Sequence, residues 1–402
     1  MIRRPPRSTQ SRSSAASDVY KRQMDMNSDV REFVQPFAKV HEDLYYFAKK
    51  AKQEGEKVAG FLCTYSPQEL FHAGGYFPVR VIGEEGGTPL ADQWLQPYAC
   101  SFAKGVLNLG LTGDFSFLDL VVFSHTCDTM QNLAEVWRRR VESTPVIVVS
   151  TPNLSAGEIS LAYLKRELTR VKEEVERISG NKITEERLLE SMKLYEQHRN
   201  KMNRLYQLRQ ANPSLMTGTE MFTVVLSSFL MKKEEHNKLL ENLIKELENI
   251  SPQELKKPRI LVGGSVCQAQ GFIQSIESAG VVVSDDDLCM GSRSYVLPPM
   301  PQGEPIDMLA QMYLSRIPCP AFHKPGYDPA ESYLEKVKNG HIDGVIFLQT
   351  KFCDPYAFNY PYLRKRLEEE GIPSLLLEVE QNQPVPEAFR TRVEAFVETL
   401  NK

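Results

Sequence analysis

Two apolar runs in this chain of 402 residues end in the same way, on a cysteine followed by an aspartate. The first is Leu118-Asp119-Leu120-Val121-Val122-Phe123-Ser124-His125-Thr126-Cys127-Asp128. The second is Ile342-Asp343-Gly344-Val345-Ile346-Phe347-Leu348-Gln349-Thr350-Lys351-Phe352-Cys353-Asp354. Short apolar runs of this kind read as strands buried on both faces, and the residues after each run read as the start of a helix. Asp128 is expected to cap a helix beginning at Thr129, and Asp354, with Pro355 behind it, reads as an N-cap with proline at the first helical position. Each thiol is then predicted beside a helix N-terminus, where free amide groups and the helix dipole favour a thiolate. In open α/β sheets ligands gather beyond the carboxyl ends of the strands. Two thiols facing one cleft therefore point to a shared cofactor, and thiolates are the ligands an iron centre takes.

The rest of the chain fits around these two junctions. Residues 30–52 read as mainly helical, with Phe33, Phe37, Val40 and Leu44 as the apolar stripe and Pro36 near the start of the regular part. Val58–Cys63 is a predicted strand, and Ser66-Pro67-Gln68-Glu69 reads as a capping box. Pro78–Ile82, Leu118–Phe123 and Pro145–Val149 supply further strands, with a helix over Thr129–Arg140. Residues 153–256 change to charged, Leu-rich stretches with helical periodicity at 161–178, 185–210 and 232–250, the first capped by Ser155 with Glu158. From Pro258 the alternation returns: strands at Arg259–Gly264, Val281–Asp285, Asp343–Leu348 and Ser374–Leu377, and helices at Ala269–Ala279, Pro361–Glu370 and Phe389–Leu400. Strands alternating with helices imply parallel sheets joined by right-handed crossovers. The chain is expected to be α/β, with two Rossmann- or flavodoxin-like parallel-sheet lobes at 57–152 and 257–402. The segment at 153–256 would be a helical linker or bundle joining them, and 24–56 an N-terminal helical segment.

Composition narrows the function. Residues 1–23 carry six Lys/Arg against one Asp and no apolar periodicity. They read as a non-native or disordered leader resembling translated sequencing adapter, with the native start expected near Met24 or Met26, or upstream in sequence now lost. The net charge is −4 even with that basic stretch included, which argues against nucleic acid as the main partner. No uninterrupted apolar run reaches membrane-spanning length. Seven cysteines without a secretory signal imply a reducing, cytoplasmic setting, and the absence of Cys-x-x-Cys weakens zinc-ribbon and thioredoxin-like readings.

Blander readings compete at several positions. A free cysteine is commonly a small buried hydrophobe; Cys289 and Cys319 lean that way, and Cys267 more strongly. Gly263-Gly264-Ser265-Val266-Cys267-Gln268 lacks the spacing of a dinucleotide fingerprint. Asp285-Asp286-Asp287 lacks the other ligands of a calcium loop. His72 and His323 have no second histidine at metal-ligand spacing and read as surface or core residues.

The motifs together resemble the 2-hydroxyacyl-CoA dehydratase and benzoyl-CoA reductase family, in its D-component-like subunits. The resemblance runs through Cys63-Thr64-Tyr65-Ser66-Pro67-Gln68-Glu69-Leu70, Ala73-Gly74-Gly75, Cys100 with Ser101 and Lys104, and Cys127-Asp128. It continues through Asp286-Asp287-Leu288-Cys289-Met290-Gly291-Ser292-Arg293, Pro318-Cys319-Pro320, Lys351-Phe352-Cys353-Asp354-Pro355 and Thr391–Phe396. It implies an oxygen-sensitive [4Fe–4S] cluster on Cys100, Cys127 and Cys353 with an open fourth iron site. It also implies a homologous second subunit and an ATP-hydrolysing activator that donates low-potential electrons. The substrate would be an acyl-CoA thioester, taken to a ketyl radical and then dehydrated or reduced. Near such a cluster Glu69 or His125 would move protons or equally be structural, and Thr126, Ser101 and the helix amides are candidate donors to it. A second branch, the double-cubane cluster proteins, holds an [8Fe–9S] cluster on six cysteines, here Cys63, Cys100, Cys127, Cys289, Cys319 and Cys353. A third expectation is a non-catalytic structural or electron-transfer partner subunit.

Overall fold

The computed structural model describes residues 28–251, 253–265 and 270–400; the expected leader and Cys267 lie outside the described residues. Its centre is two four-stranded sheets, every pairing in them parallel. One contains β1 (Lys57–Phe61), β2 (Tyr76–Arg80), β3 (Leu120–Ser124) and β4 (Val146–Val149). The other contains β5 (Arg259–Gly264), β6 (Val282–Asp287), β7 (Gly344–Thr350) and β8 (Ser374–Val379). Their orders are β2-β1-β3-β4 and β6-β5-β7-β8, so the repeat read from the sequence is a repeat of topology. In each sheet the chain leaves the first strand to one side and returns on the other. The switch points fall between β1 and β3 and between β5 and β7, where such sheets bind ligands.

Burial explains why these runs are strands. Every residue of β2 and β3 is buried, as is most of β1, β5 and β7, the pattern of sheets covered on both faces. Trp137, on the helix Asp128–Arg140, is fully buried against β3 and meets the rings of Phe115 and Phe123 at 6.1 and 5.8 Å. Gly264 ends β5 at φ +139°, and a Cβ there would collide with the Leu348 carbonyl of β7. Glycine is required at that point because the backbones of the two central strands close up where the cleft begins.

Several boundaries differ from expectation. Cys127 and Cys353, rather than the aspartates after them, are the N-cap residues of helices Asp128–Arg140 and Asp354–Glu369. The second helix runs through Pro361 instead of starting there. Pro36 does not begin a regular helix: Ser28–Val34 is α-helical, Gln35–His41 is a 3₁₀ turn with the proline near its start, and Tyr46–Gln53 is a separate helix. Ser66 does not cap the helix Gln68–Ala73, because its hydroxyl bonds Ser124 Oγ at 3.0 Å. Ser155 does not cap the helix Gly157–Ser179, which follows Ala156. Helices Ser101–Thr112, Gly218–Ser228, Pro305–Leu314 and Pro329–Gly340 were not expected.

The helices between the sheets are amphipathic where predicted. Gly157–Ser179 buries Leu164, Leu168, Val171 and Val175 at helical spacing. Glu185–Ala211 begins at Thr184, whose hydroxyl accepts from Arg187 N. The two lobes meet directly. Ser101 Oγ accepts from Gln381 N at 2.9 Å, Arg316 Nη1 donates to Thr64 O at 2.6 Å, and Tyr313 OH donates to Ser66 O at 3.1 Å. No helix among the described residues is long and apolar enough to cross a membrane.

Candidate functional site

The carboxyl ends of the central strands of both sheets face one cavity. Cys63 follows β1, Cys127 follows β3, Cys289 follows β6 and Cys353 follows β7; Cys100 starts the helix Ser101–Thr112, and Cys319 lies in the loop after Pro305–Leu314. All six are free, half-buried, and line the same cavity, about 740 Å³ of space counting the part open to solvent. Apolar side chains such as Leu62, Phe102 and Met130 fill the wall between them. The three cysteines of the preferred set are thus brought together, and so are the three of the alternative set.

No group of three His, Cys, Asp or Glu side chains among the described residues is arranged to hold a single metal ion. A multi-iron cluster has thiolates on different irons, so its ligands stand apart around a cavity. Six soft thiol donors around one space between lobes fit that kind of group and fit hard cations such as magnesium or calcium poorly.

The electrostatics differ around the ring of sulfurs. Burial pushes the Cys100 thiol up, opposed by the amides of Ala103 and Phe102. Burial likewise pushes Cys127 up to about 11, against the amides of Met130 and Thr129, and raises Cys353 against the Tyr356 amide. The amides at the helix starts act on these sulfurs in the expected direction, and burial opposes them. Across the cavity the order reverses. Cys289 is pulled down by a hydrogen bond from the Cys319 thiol, then by the Arg293 charge and the Tyr356 hydroxyl, while Cys319 is driven up as the donor. Tyr356 OH stands 3.2 Å from Cys289 Sγ and accepts from Arg293 Nη1 at 2.7 Å, so its own proton is free for the sulfur.

The proton-transfer candidates lie elsewhere. His125 is half-buried and does not line the cavity. Thr126 lines it, but its hydroxyl points back to Ser124 O at 3.4 Å, and Ser101 is engaged by Gln381. Glu69 is buried at 1 % exposure in a second, smaller pocket with Arg199, Tyr313 and Lys233. Its carboxylate accepts from Arg199 Nη1 at 2.8 Å and from Tyr313 OH at 2.9 Å. The residues that sequence reasoning missed are Arg80, Tyr356 and Arg316. Arg80 had a signal, a lone charge inside the apolar run Pro78-Val79-Arg80-Val81-Ile82.

Lys233 in this second pocket donates to Ser228 O and is pushed down to about 7 by burial. Its unfolded value is the ordinary lysine value, so between about pH 7 and pH 10 the unfolded chain binds more protons and stability must rise with pH. Urea midpoints for the wild type should rise by about 2 kcal/mol in unfolding free energy between about pH 7 and pH 9. Lys233→Met should flatten that slope, and an unchanged slope in the variant would remove Lys233 as its source.

Comparison with known proteins agrees with this geometry. The family model described as "2-hydroxyglutaryl-CoA dehydratase, D-component" matches residues 63–400, which begin at Cys63 and include all six cavity cysteines. The chain is 31% identical over 355 residues to the (R)-phenyllactyl-CoA dehydratase beta subunit of Clostridium sporogenes, covering 88% of this chain and 95% of that one. It is 26% identical to one subunit of the benzoyl-CoA reductase of Thauera aromatica, over 90% of this chain and 96% of the relative. With the beta subunit of (R)-2-hydroxyglutaryl-CoA dehydratase from Acidaminococcus fermentans it shares 25%, over 92% and 100%. The family match takes in β2 to β8 and all six cysteines of the cavity, and the chain belongs to the 2-hydroxyglutaryl-CoA dehydratase D-component family.

Proposed function

We propose that this chain is the iron–sulfur subunit of a 2-hydroxyacyl-CoA dehydratase or benzoyl-CoA reductase-like enzyme, working in the cytoplasm with a homologous second subunit and an ATP-dependent electron donor. The observation that carries the reading is the ring of free cysteines around one inter-lobe cavity at two topological switch points. Cys100, Cys127 and Cys353 would hold a [4Fe–4S] cluster. Three thiolates leave one iron open, and the bound group would supply low-potential, one-electron chemistry toward an acyl-CoA thioester.

The protein's own part is physical. The first-turn amides at Cys100, Cys127 and Cys353 offset charge on the sulfurs. Leu62, Phe102 and Met130 keep water from the wall of the cavity, which strengthens every electrostatic contact within it. The names of the relatives, each one subunit of a larger enzyme, support the need for a companion chain.

A second reading is favoured by a specific observation: Cys63, Cys289 and Cys319 line the same cavity. On that reading the six thiols hold a double-cubane [8Fe–9S] cluster in an ATP-dependent reductase. Iron and acid-labile sulfide per chain, measured on anaerobically purified protein, separate the two. About four irons support the three-thiolate enzyme and about eight the double cubane. No iron after reconstitution would sink both and leave a non-catalytic partner subunit.

A further inference from the structure

Arg80 ends β2, an edge strand, yet it is only 1 % exposed. Arginine is almost never fully buried unless it is paired. Here the guanidinium lies near the rings of Phe61 and Phe102, 5.7 and 5.8 Å from their centroids, and lines the cysteine cavity. Its Nε and Nη1 have no hydrogen-bond partner among the described residues. A buried charge without a partner is strongly destabilising, and the two nitrogens are placed to donate to a group in the cavity.

Three arginines stand near cysteines of the cavity. Arg80 pairs in register with Phe61, two residues before Cys63. Arg293 reaches Cys289 through Tyr356. Arg316 lies 5.2 Å over the ring of Tyr65, whose oxygen accepts from the Cys319 amide at 3.2 Å. Each of the three arginines thus approaches a cavity cysteine through an aromatic neighbour, Phe61, Tyr356 or Tyr65.

We propose that Arg80 is the fixed counter-charge of the anionic, thiolate-held iron–sulfur group of this cavity and its hydrogen-bond donor through Nε and Nη1. The inference rests on the reading that the cavity takes an iron–sulfur group. It goes further in assigning a role to a residue that is not itself a ligand.

The distinctive consequence is an effect of opposite sign with and without the cluster. In metal-free protein Arg80→Met removes an uncompensated buried charge and should raise Tm. In anaerobically loaded protein the same change should lower iron per chain. It should also make reduction by dithionite at least tenfold less favourable, about 59 mV for one electron, because the added electron loses a neighbouring positive charge. Arg80→Lys, which keeps the charge, should recover most of the potential. Potentials come from EPR-monitored titrations, and Arg80→Gln serves as a second uncharged variant.

A Tm that falls in the metal-free state, or failure of both uncharged variants to fold, would mean that Arg80 acts in packing and would overturn the proposal. Wild-type iron with an unchanged potential in Arg80→Met would overturn it while leaving the iron–sulfur reading intact. A wild type without iron would overturn both.

Discussion

Glu69→Ala is expected to lower unfolding free energy by about 3–5 kcal/mol, the cost of stranding one member of a buried ion pair. The reason is what surrounds the carboxylate. Arg199 is 7 % exposed, its Nη1 bonds Glu69 Oε1 at 2.8 Å, and its Nη2 already lacks a partner. Removing the carboxylate leaves a buried guanidinium with no anion and also takes away the nearer of the two acceptors, Glu69 Oε2 and Ser66 O, that share the single Tyr313 OH proton. Tyr313 in turn bonds Ser66 O, so the loss reaches the contact between the second lobe and the loop after Cys63. Glu69→Gln keeps an acceptor for Tyr313 and should cost less than Glu69→Ala. Denaturant midpoints of the two variants test this. If Glu69→Ala were as stable as wild type yet inactive, the carboxylate would be a working acid or base and the structural account of it would fail.

What the sequence revealed about fold and site obeys physical lines. The strands were legible because a parallel sheet covered on both faces needs unbroken apolar runs, and β3 and β7 are such runs. Cys127-Asp128 and Cys353-Asp354 were legible as junctions, although the caps fell one residue early, a shift within the usual fraying of helix ends. Helix Ser101–Thr112 was hidden because it is buried on most sides: Phe102, Ala103, Val106 and Leu107 lie inside, and Gly105 and Gly110 add helix-breaking signals. Gly218–Ser228 was hidden for the same reason, since a helix buried all round has no amphipathic period. Its Thr217 and Glu220 do form a capping box, and that signal was available.

Pro361 misled because proline usually ends a helix; here the helix had already begun at Asp354 and continues past it. The cysteine positions could be read, but their convergence could not, because it depends on how two sheets, far apart in sequence, face one another. Arg80 illustrates the limit. Nothing in a strand sequence tells a solvated edge arginine from one sealed between Phe61, Phe102 and a cavity.

The convergence of six thiols turns the choice between cluster types into a comparison of two alanine variants. Alanine is preferable to serine, because a hydroxyl could still occupy a ligand position. In the three-thiolate enzyme Cys353→Ala should reduce iron from about four per chain to near zero, whereas Cys289→Ala should leave about four. In the double-cubane protein both variants should fall well below the wild-type value of about eight, since each removes an anchor of one half of the cluster. The comparison is clean on structural grounds. Both cysteines are half-buried on the wall of an open cavity rather than packed in the core. Neither truncation should therefore disturb folding, which far-UV circular dichroism checks. The local partners of Cys289 sharpen the outcome. Tyr356 and Arg293 hold a donor and a charge against that sulfur whether or not iron is present, an arrangement that suits a permanent thiolate better than a neutral thiol. If Cys289→Ala keeps full iron, these groups serve the metal-free fold and the three-thiolate cluster stands. If it loses iron in step with Cys353→Ala, the two halves of the chain contribute to a single larger cluster, and the repeat that opened the sequence is its cradle.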